Sequence, residues 1–318
     1  MAALWKIVRK HDARVVNLHY GGPEISLKDT VAVRLARRRL VVTSHAPTPW
    51  SELGTRRRWT TRLASKMVHQ LITVTEEVAE VLAEAGISRS DVKIIPGGVP
   101  IPETLMPKSE ARASLGIPRD AVVVSSIARC APEKRLEDLV RAARKVLDTD
   151  ARINLHVVIK GDDGHGAAEL GDFGGRQLGD RFHLLGMAGT DNSAIFAASD
   201  IFCLPSDAEG YPLVLQEAAA HGLPAISTRV GGIPRLIDEG ATGILFDAHD
   251  VDGLARALIE LAHNPDAREA MGERARAKAV ATFSLEHMCD RYAEVFDDVS
   301  GRSRGPVRAR ELVRPLGD

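Results

Sequence analysis

Short runs of β-branched and aliphatic residues alternate along the chain with longer segments of helical periodicity. Nine runs stand out, each six to eight residues long: ARVVNLHY, RLVVTSH, QLITVT, VKIIPGGV, AVVVSSIA, INLHVVIK, RFHLLG, DIFCLPS and LPAIST. Strands that alternate with helices in this way form parallel sheets covered by helices. The pattern therefore predicts an α/β protein built from Rossmann-like β/α/β units.

A segment rich in proline and glycine, PGGVPIPETLMP at residues 96–107, separates the first four runs from the last five. Such composition is typical of a linker. We therefore predict a first domain over residues 1–105 and a second over 106–281. The segment FSLEHMCDRYAEVFDDV predicts a helix within 282–300 that packs back toward the first domain, and the Arg-, Gly- and Pro-rich residues 301–318 predict a flexible basic tail.

Charge is distributed unevenly along the chain, although the net charge of the 318 residues is −1. Residues 1–70 contain fourteen Lys/Arg against four Asp/Glu, a net charge of +10. This excess favours an anionic partner, either a membrane surface or a phosphate-bearing substrate, unless the charges only solvate helix faces. The sequence has no stretch of eighteen apolar residues and no signal-peptide core at its start, which predicts a cytoplasmic protein.

One basic segment of the first domain, TRRRWTTRLASKMVHQL, shows an apolar residue at every fourth position. These residues are Trp59, Leu63, Met67 and Leu71, with Arg57, Arg58, Arg62 and Lys66 between them. The spacing predicts an amphipathic helix whose apolar stripe packs on the sheet. The alternative is peripheral attachment to the anionic inner face of a membrane, where a lipid-linked acceptor would lie.

Metal and disulfide chemistry find little support in the sequence. The three cysteines, Cys130, Cys203 and Cys289, lack the spacing of a zinc site or a disulfide framework. Asp148 and Asp150 have the spacing of a metal-binding Asp-x-Asp pair, but they precede a predicted strand and so lie opposite the expected ligand edge. We predict no metal and no cofactor.

Ligands of open α/β sheets bind where the carboxyl ends of the strands meet, so residues that directly follow the apolar runs are candidates for a site. Arg129 and Lys134 follow one run of the second domain and suit a diphosphate, as a planar fork and a point charge. Gly231 and Gly232 follow another and offer backbone N–H groups to the same anion.

Two glutamates with seven residues between them follow a third run, in EGYPLVLQEA. Glu209 lies in the predicted loop, and Glu217 lies within a helix that begins at Pro212 and is apolar on every side. A buried carboxylate without a partner costs several kcal/mol, so Glu217 requires either a ligand with hydroxyl groups or an ion pair, with Arg229 or Arg235.

The second domain resembles the nucleotide-sugar-binding domain of the retaining glycosyltransferases of family 4. The likeness runs from about Val122 to Asp247 and includes ARCAPEKRLEDLVRA, VIKGDDG, LLGMAGTDN and the acidic motif EGYPLVLQEA. VVTSHAPTP, LITVTEEVAEVL and VKIIPGGV extend it into the first domain. The family implies the GT-B fold, in which two Rossmann-like domains face each other across a cleft. Since the family's first strand and glycine-rich loop have no counterpart here, the resemblance also implies an incomplete N-terminal domain.

The resemblance implies a role for each candidate. Arg129 and Lys134 would bind the donor diphosphate, Glu209 would contact the transferred sugar, and Glu217 would bind the nucleotide ribose. His45 would lie near the donor sugar, with His19 a lesser candidate, and the remaining donor-binding positions would be Gly186, Gly210, Tyr211, Pro212, Leu213, Gly231 and Gly232. The sequence departs from the family at Ala128 and Arg135, where the family has glycine, and at Arg235, where it has an acid. Arg135 would add positive charge near the phosphates.

The function implied by the resemblance is transfer of a sugar from a nucleotide-diphosphate sugar to an acceptor hydroxyl with retention of configuration and without a metal. The acceptor would be a glycan, a lipid-linked saccharide or a small molecule, and no nucleic acid is expected. The alternative is a donor-binding but catalytically deficient protein, truncated or completed by another chain. A dehydrogenase is disfavoured because no G-x-G-x-x-G motif follows a predicted strand.

Overall fold

The computed structural model describes residues 1–11, 13–46, 48–161, 165–186 and 191–301. The chain forms two compact units. The first comprises Met1–Gly98 and the segment from Leu285 onward, and the second comprises Val99–Ser284. The division therefore falls seven residues before the predicted boundary at 105, and the tail beyond Gly301 lies outside the described residues.

The first unit is a four-stranded parallel sheet with helices on both faces. Its elements are α1 (Ala2–Lys10), β1 (Val15–Tyr20), α2 (Leu27–Leu35), β2 (Arg39–Ser44), α3 (Thr55–Ser65), β3 (Gln70–Thr73), α4 (Glu76–Glu84) and β4 (Val92–Ile94). The strand order is β1-β2-β3-β4. On one face Leu40 and Val42 of β2 pack with residues of α1, α2 and α3. The opposite face packs against the last helix of the described residues, Leu285–Ser300, through Val41 and Val295.

The second unit is a six-stranded parallel sheet in the order β10-β9-β8-β5-β6-β7. Its elements are α5 (Lys108–Ser114), β5 (Val122–Ile127), α6 (Leu136–Thr149), β6 (Leu155–Lys160), α7 (His165–Leu178), β7 (Phe182–Leu185), α8 (Asn192–Ala198), β8 (Ile201–Leu204), α9 (Leu213–Ala220), β9 (Ala225–Thr228), α10 (Ile233–Leu236), β10 (Gly243–Phe246), α11 (Val251–His263) and α12 (Pro265–Lys278). A short π-helix, Ala279–Phe283, follows, and α13 (Leu285–Ser300) returns to the first unit.

Strands β1 to β9 confirm the nine predicted runs, with trimmed ends, whereas β10 was not among them. The strands are shorter than the predicted runs because the glycines, prolines and polar residues at the ends of the runs lie outside the sheet. Strand β10, Gly243–Phe246, pairs in register with β9 at the edge of the sheet. It begins at a glycine, a residue type that is depleted in strands, so its sequence gives a weak strand signal.

The predicted packing of the apolar stripe on α3 is wrong. The helix ends at Ser65, and Leu71 lies in β3. Thr61 and Ala64 are the buried residues of α3, whereas the side chains of Trp59 and Leu63 are 64% and 39% exposed. Periodicity identified an amphipathic helix but not which face meets the sheet, because the small residues pack more closely against it. No helix among the described residues is long and apolar enough to cross a membrane.

Candidate functional site

The strand order of the second unit contains one point at which the chain reverses its direction of travel across the sheet. From β5 the chain proceeds through β6 to β7, and it then returns to place β8 on the other side of β5. Helices α6 and α9, which follow β5 and β8, pack in two separate hydrophobic clusters. The carboxyl ends of β5 and β8 therefore form the crevice where ligands of open α/β sheets bind.

Lys134 and Glu209 meet at this crevice. The Lys134 ammonium donates to the Glu209 carboxylate, with Nζ and Oε1 2.7 Å apart, and their side chains are only 17% and 11% exposed. The backbone N–H of Asp207 also donates to the carbonyl oxygen of Glu133 at 2.8 Å. Together these bonds hold the loop after β5 against the loop after β8, so one cation and one anion face the same ligand position.

The glycine pair after β9 provides the space that this arrangement needs. Gly231 has φ +50°, and a Cβ atom there would overlap the carbonyl oxygen of Glu209. A Cβ on Gly232 would overlap the carbonyl oxygen of Gly210, which instead accepts the Gly232 N–H at 2.9 Å. Both glycines therefore serve a close backbone approach that supports Glu209 from behind.

Arg135, which stands where the family has glycine, adopts the left-handed conformation with φ 50° and ψ 32°. A side chain in this region costs roughly 1–2 kcal/mol, which glycine avoids. The Arg135 guanidinium pairs with Asp138 at 2.8 Å. Its Nε also lies 3.8 Å from Asp207 Oδ1, in the loop after β8, so two carboxylates face the Arg135 charge.

Glu217 lies in α9 and faces a second polar group at the same sheet edge. Its carboxylate hydrogen-bonds to the Asn192 side chain, and burial raises the pKa of Glu217, an effect that the Asn192 bond opposes. Asn192 Oδ1 in turn accepts from Lys160 Nζ at 2.9 Å. Lys160, the last residue of β6, is only 6% exposed. A buried cation is thus linked to the half-buried carboxylate through one amide.

Helix α9 follows the sequence prediction only in part, and Arg229, one of the two alternative ion-pair partners of Glu217, pairs with a different residue. The helix begins at Leu213, since Pro212 is its N-cap, and it is not buried on every side because Leu213 is 49% exposed. Arg229 pairs with Glu239 at 2.6 Å.

The other predicted positions lie at the same edge but in different surroundings. Arg129 is 68% exposed and pairs with Glu133 of its own loop at 2.8 Å. The Tyr211 ring packs edge-on against Phe283, with the ring centroids 6.5 Å apart. Gly186 directly follows β7 and is exposed. The matched segments VIKGDDG and LLGMAGTDN each include residues outside the described ranges.

The Asp-x-Asp pair ends α6, at the edge opposite the crevice. Asp148 pairs with Arg144, and Asp150 pairs with Arg152 at 2.8 Å. The Arg152 hydrogen bond also holds the pKa of Asp150 well below its usual range. Within the described ranges, no group of three or more His, Cys, Asp or Glu side chains is arranged to hold a metal ion.

The family model for glycosyl transferases group 1 matches residues 107–278, more than half of the 318-residue chain. The chain belongs to the group 1 glycosyl transferases. A second model, Glycosyltransferase Family 4, matches residues 1–102 of this group 1 glycosyl transferase. The two matches meet within the linker segment.

Curated relatives of this group 1 glycosyl transferase include enzymes with different acceptors in their names. D-inositol 3-phosphate glycosyltransferase of Kribbella flavida is 32% identical over 220 residues, covering 64% of this chain and 50% of the relative. N-acetyl-alpha-D-glucosaminyl L-malate synthase of Bacillus anthracis is 33% identical over 193 residues, covering 60% and 49%. The chain thus spans about half the length of these relatives.

Solved structures confirm the predicted GT-B fold. Anabaena HepE in complex with UDP superposes with a TM-score of 0.80 at 20% identity, covering 93% of this chain and 81% of that chain. A glycosyltransferase from Rickettsia africae superposes with a TM-score of 0.83 at 18% identity, covering 95% and 81%. This group 1 glycosyl transferase therefore has two Rossmann-like α/β domains.

Sequence reasoning missed two residues of the candidate site, Lys160 and Asn192. Lys160 ends a run of apolar residues, so it could have been noticed as the residue that immediately precedes the crevice at β6. Asn192 gave no signal, because an asparagine near the start of a helix is common. His45, the remaining predicted residue, follows β2 in the first unit.

Proposed function

We propose that this group 1 glycosyl transferase transfers a sugar from a nucleotide-diphosphate sugar to an acceptor hydroxyl with retention of configuration. The observation that carries the proposal is the Lys134–Glu209 pair at the crevice between β5 and β8, backed by Gly231. Structures of the related protein HepE in complex with UDP and with UDP-glucose support a nucleotide-diphosphate sugar as the donor.

The geometry supports separate tasks for the charged groups of the crevice. Lys134 and the exposed Arg129 provide positive charge for the diphosphate that departs, and the amino end of α9, which has no side-chain cap, adds its helix dipole. Glu209 is held near the same position and orients the hydroxyls of the transferred sugar. Glu217 is further along the sheet edge and accepts hydrogen bonds from the ribose.

The ribose role predicts that Glu217→Ala weakens nucleotide binding about ten- to a hundredfold, because hydrogen bonds to a charged acceptor contribute about 1.5–3 kcal/mol. Titration calorimetry with UDP, GDP and ADP measures this and identifies the base. Glu260→Ala, which removes an exposed glutamate of α11, is the matched control and should leave affinity unchanged. Unchanged affinity in the Glu217 variant would refute the ribose role.

The same titrations should depend on pH. Burial raises the pKa of Glu217, so this carboxylate takes up a proton at a higher pH than an ordinary glutamate. Only the ionised form accepts hydrogen bonds on both oxygens. Nucleotide affinity should therefore fall as the pH is lowered through the raised pKa, and the Glu217→Ala variant should lose that dependence.

Transfer and binding are separated by a second measurement on the unmodified protein. Turnover against a panel of nucleotide sugars and acceptors supports the proposal if product forms with the donor's anomeric configuration. Tight nucleotide binding without transfer to any acceptor would instead favour the alternative, a donor-binding protein that lacks catalysis or requires another chain.

We further propose that the first unit attaches to an anionic lipid surface through α3. Trp59 and Leu63 are one helical turn apart and exposed, and the exposed cations Arg56, Arg57 and Lys66 lie on the same helix or just after it. Exposed apolar side chains among basic ones are typical of interfacial helices, and the +10 charge of residues 1–70 adds long-range attraction.

Co-sedimentation with vesicles tests this attachment. We expect binding to vesicles that contain phosphatidylglycerol and not to pure phosphatidylcholine, with a loss of about tenfold in Trp59→Ser, since burial of a large apolar side chain contributes about 1.5–3 kcal/mol. Leu105→Ser removes another exposed apolar residue, 41% exposed, and serves as control. Equal binding of both vesicle types, or of both variants, would refute the proposal.

A further inference from the structure

A chain of side-chain hydrogen bonds runs along the first unit's sheet to its carboxyl edge. Asn17 and His19 are two residues apart on β1, so their side chains lie on one face, and Thr43 of β2 is the register partner of His19. His45 follows β2 directly, and its backbone N–H donates to the Tyr20 carbonyl oxygen at 3.1 Å. These bonds place the two imidazoles side by side.

The direction of each hydrogen bond in this chain follows from the one before it. The Thr43 hydroxyl donates to Asn17 Oδ1 at 3.1 Å, which leaves the Asn17 amide nitrogen as the group that faces His19. Asn17 Nδ2 lies 3.0 Å from His19 Nε2, and because an amide NH₂ only donates, His19 Nε2 must accept. The single proton of neutral His19 is then on Nδ1.

The same reasoning assigns the proton of His45. His19 Nδ1 lies 2.8 Å from His45 Nε2, so the His19 proton is donated to His45 Nε2. Neutral His45 therefore carries its proton on Nδ1, for which the described residues provide no acceptor. The Nδ1–H group of an exposed ring remains available to a ligand oxygen.

The neutral state on which this argument depends is favoured by the surroundings of both rings. Burial lowers the pKa of His45, and burial followed by the neighbouring His45 lowers the pKa of His19. The rings stack with their centroids 5.1 Å apart at an interplanar angle of 24°. Both shifts favour the neutral imidazole, and stacking limits the rotation of His45.

The series of hydrogen bonds begins at Thr43, which lies in the interior of the first unit. Thr43 is fully buried, and Tyr292 of α13 also hydrogen-bonds to it. Helix α13 thus contacts Thr43, whose hydroxyl is the first donor in this series of hydrogen bonds. Exposed histidines at a sheet edge usually exchange between tautomers, whereas this pair is connected to a rigid core.

We propose that His19 is a positioning residue that fixes His45 in its Nδ1–H tautomer and so aims one N–H donor at a sugar or phosphate oxygen of the substrate. This inference rests on the proposed function for the role of His45 in transfer. The tautomer itself is a property of the free protein, and it is measured without substrate.

Long-range ¹H–¹⁵N correlation spectra of the full chain labelled at histidine nitrogens test the assignment. We expect His45 Nε2 to give the shift of an unprotonated nitrogen and Nδ1 that of a protonated one. His19→Leu removes the donor and should give a mixture of tautomers, while His19→Gln retains an amide donor and should restore the original one. A protonated Nε2 in the unmodified protein would overturn the assignment.

Turnover tests the positioning role separately. His19→Leu should lower kcat about three- to tenfold, the effect of one hydrogen bond, with a smaller change in the donor KM, and His19→Gln should recover most of it. The matched control is His183→Leu, which breaks a similar stacked pair with His156 in the second unit, Nδ1 to Nε2 3.0 Å. Full turnover in His19→Leu despite altered tautomers would overturn the positioning role, and inactivity of the unmodified protein would count against the proposed function instead.

Discussion

Turnover of a nucleotide sugar should fall about 10²–10³-fold when Lys134 is replaced by methionine. This is the typical cost of removing one preorganised group that stabilises charge as it develops on a leaving oxygen. Lys134 is preorganised by its 2.7 Å bond to Glu209, and it is largely shielded from water, which strengthens its interaction with a diphosphate. Steady-state kinetics with a saturating donor measures the effect on kcat.

Two further variants distinguish chemistry from folding in this experiment. Lys134→Met leaves the Glu209 carboxylate without its ion pair, so stability will also fall; the double variant with Glu209→Gln should recover the melting temperature but not the turnover. Lys145→Met breaks an exposed pair with Asp252 and should change neither. Recovery of turnover together with stability in the double variant would show that Lys134 is only structural.

Gly231→Ala should abolish donor binding within the sensitivity of calorimetry. The added Cβ would overlap the Glu209 carbonyl oxygen, and the loop after β8 would have to move away from the crevice. Since Lys134 is bonded to Glu209, displacement of one loop also displaces the cation on the other. A misplacement of about 1 Å is enough to cost about a hundredfold in activity.

A second glycine of the same unit serves as a control that distinguishes the effect of backbone strain from that of loop displacement. Gly240 has φ +72°, as unfavourable for alanine as φ +50° at Gly231, but no atom lies within 4 Å of a Cβ built there. Gly240→Ala should therefore lose about 1 kcal/mol of stability and retain donor affinity. If both variants lost affinity equally, strain alone would account for the effect and the support of Glu209 by Gly231 would be refuted.

The pairing of Lys134 with Glu209 gives the site a specific electrostatic design. Under the proposed function an anionic diphosphate would enter near a carboxylate, and the ion pair makes this feasible because Lys134 balances Glu209 before the ligand binds. The carboxylate in turn holds the ammonium in place, so less side-chain entropy is lost on binding. The pair is therefore expected to bind donor as a unit, which is why single replacements have large effects.

Sequence correctly predicted that residues directly after the strands lie along one edge of the sheet. Parallel strands place their carboxyl ends at the same edge, whatever the details of packing. Lys134, Glu209 and the two glycines were all found in this way. Their mutual contacts were not predicted, since the distance between loops after β5 and β8 depends on the strand order. The polar link from Lys160 through Asn192 to Glu217 joins a strand and two helices and has no local pattern.

Arg135 shows that the direction of a side chain cannot be predicted from residue type alone. A basic residue beside Lys134 suggested additional charge for a diphosphate, whereas its guanidinium is engaged by Asp138 within α6. The left-handed backbone at this position explains why glycine suits it, and that conformation is determined by how the 3₁₀ turn Pro132–Lys134 enters α6. Side-chain direction follows from backbone conformation, which residue type alone does not specify.

The amino-acid sequence by itself determined the class of fold, the edge of the sheet that carries the site and the chemistry available there, because these depend on periodicity and on residue type. Only the tertiary structure decided which charges pair, which face of α3 is exposed and which two histidines lie side by side. Periodicity is a property of neighbours along the chain. Pairing and exposure depend on distances of a few ångströms between residues far apart in sequence, and those distances exist only after the sheets have formed.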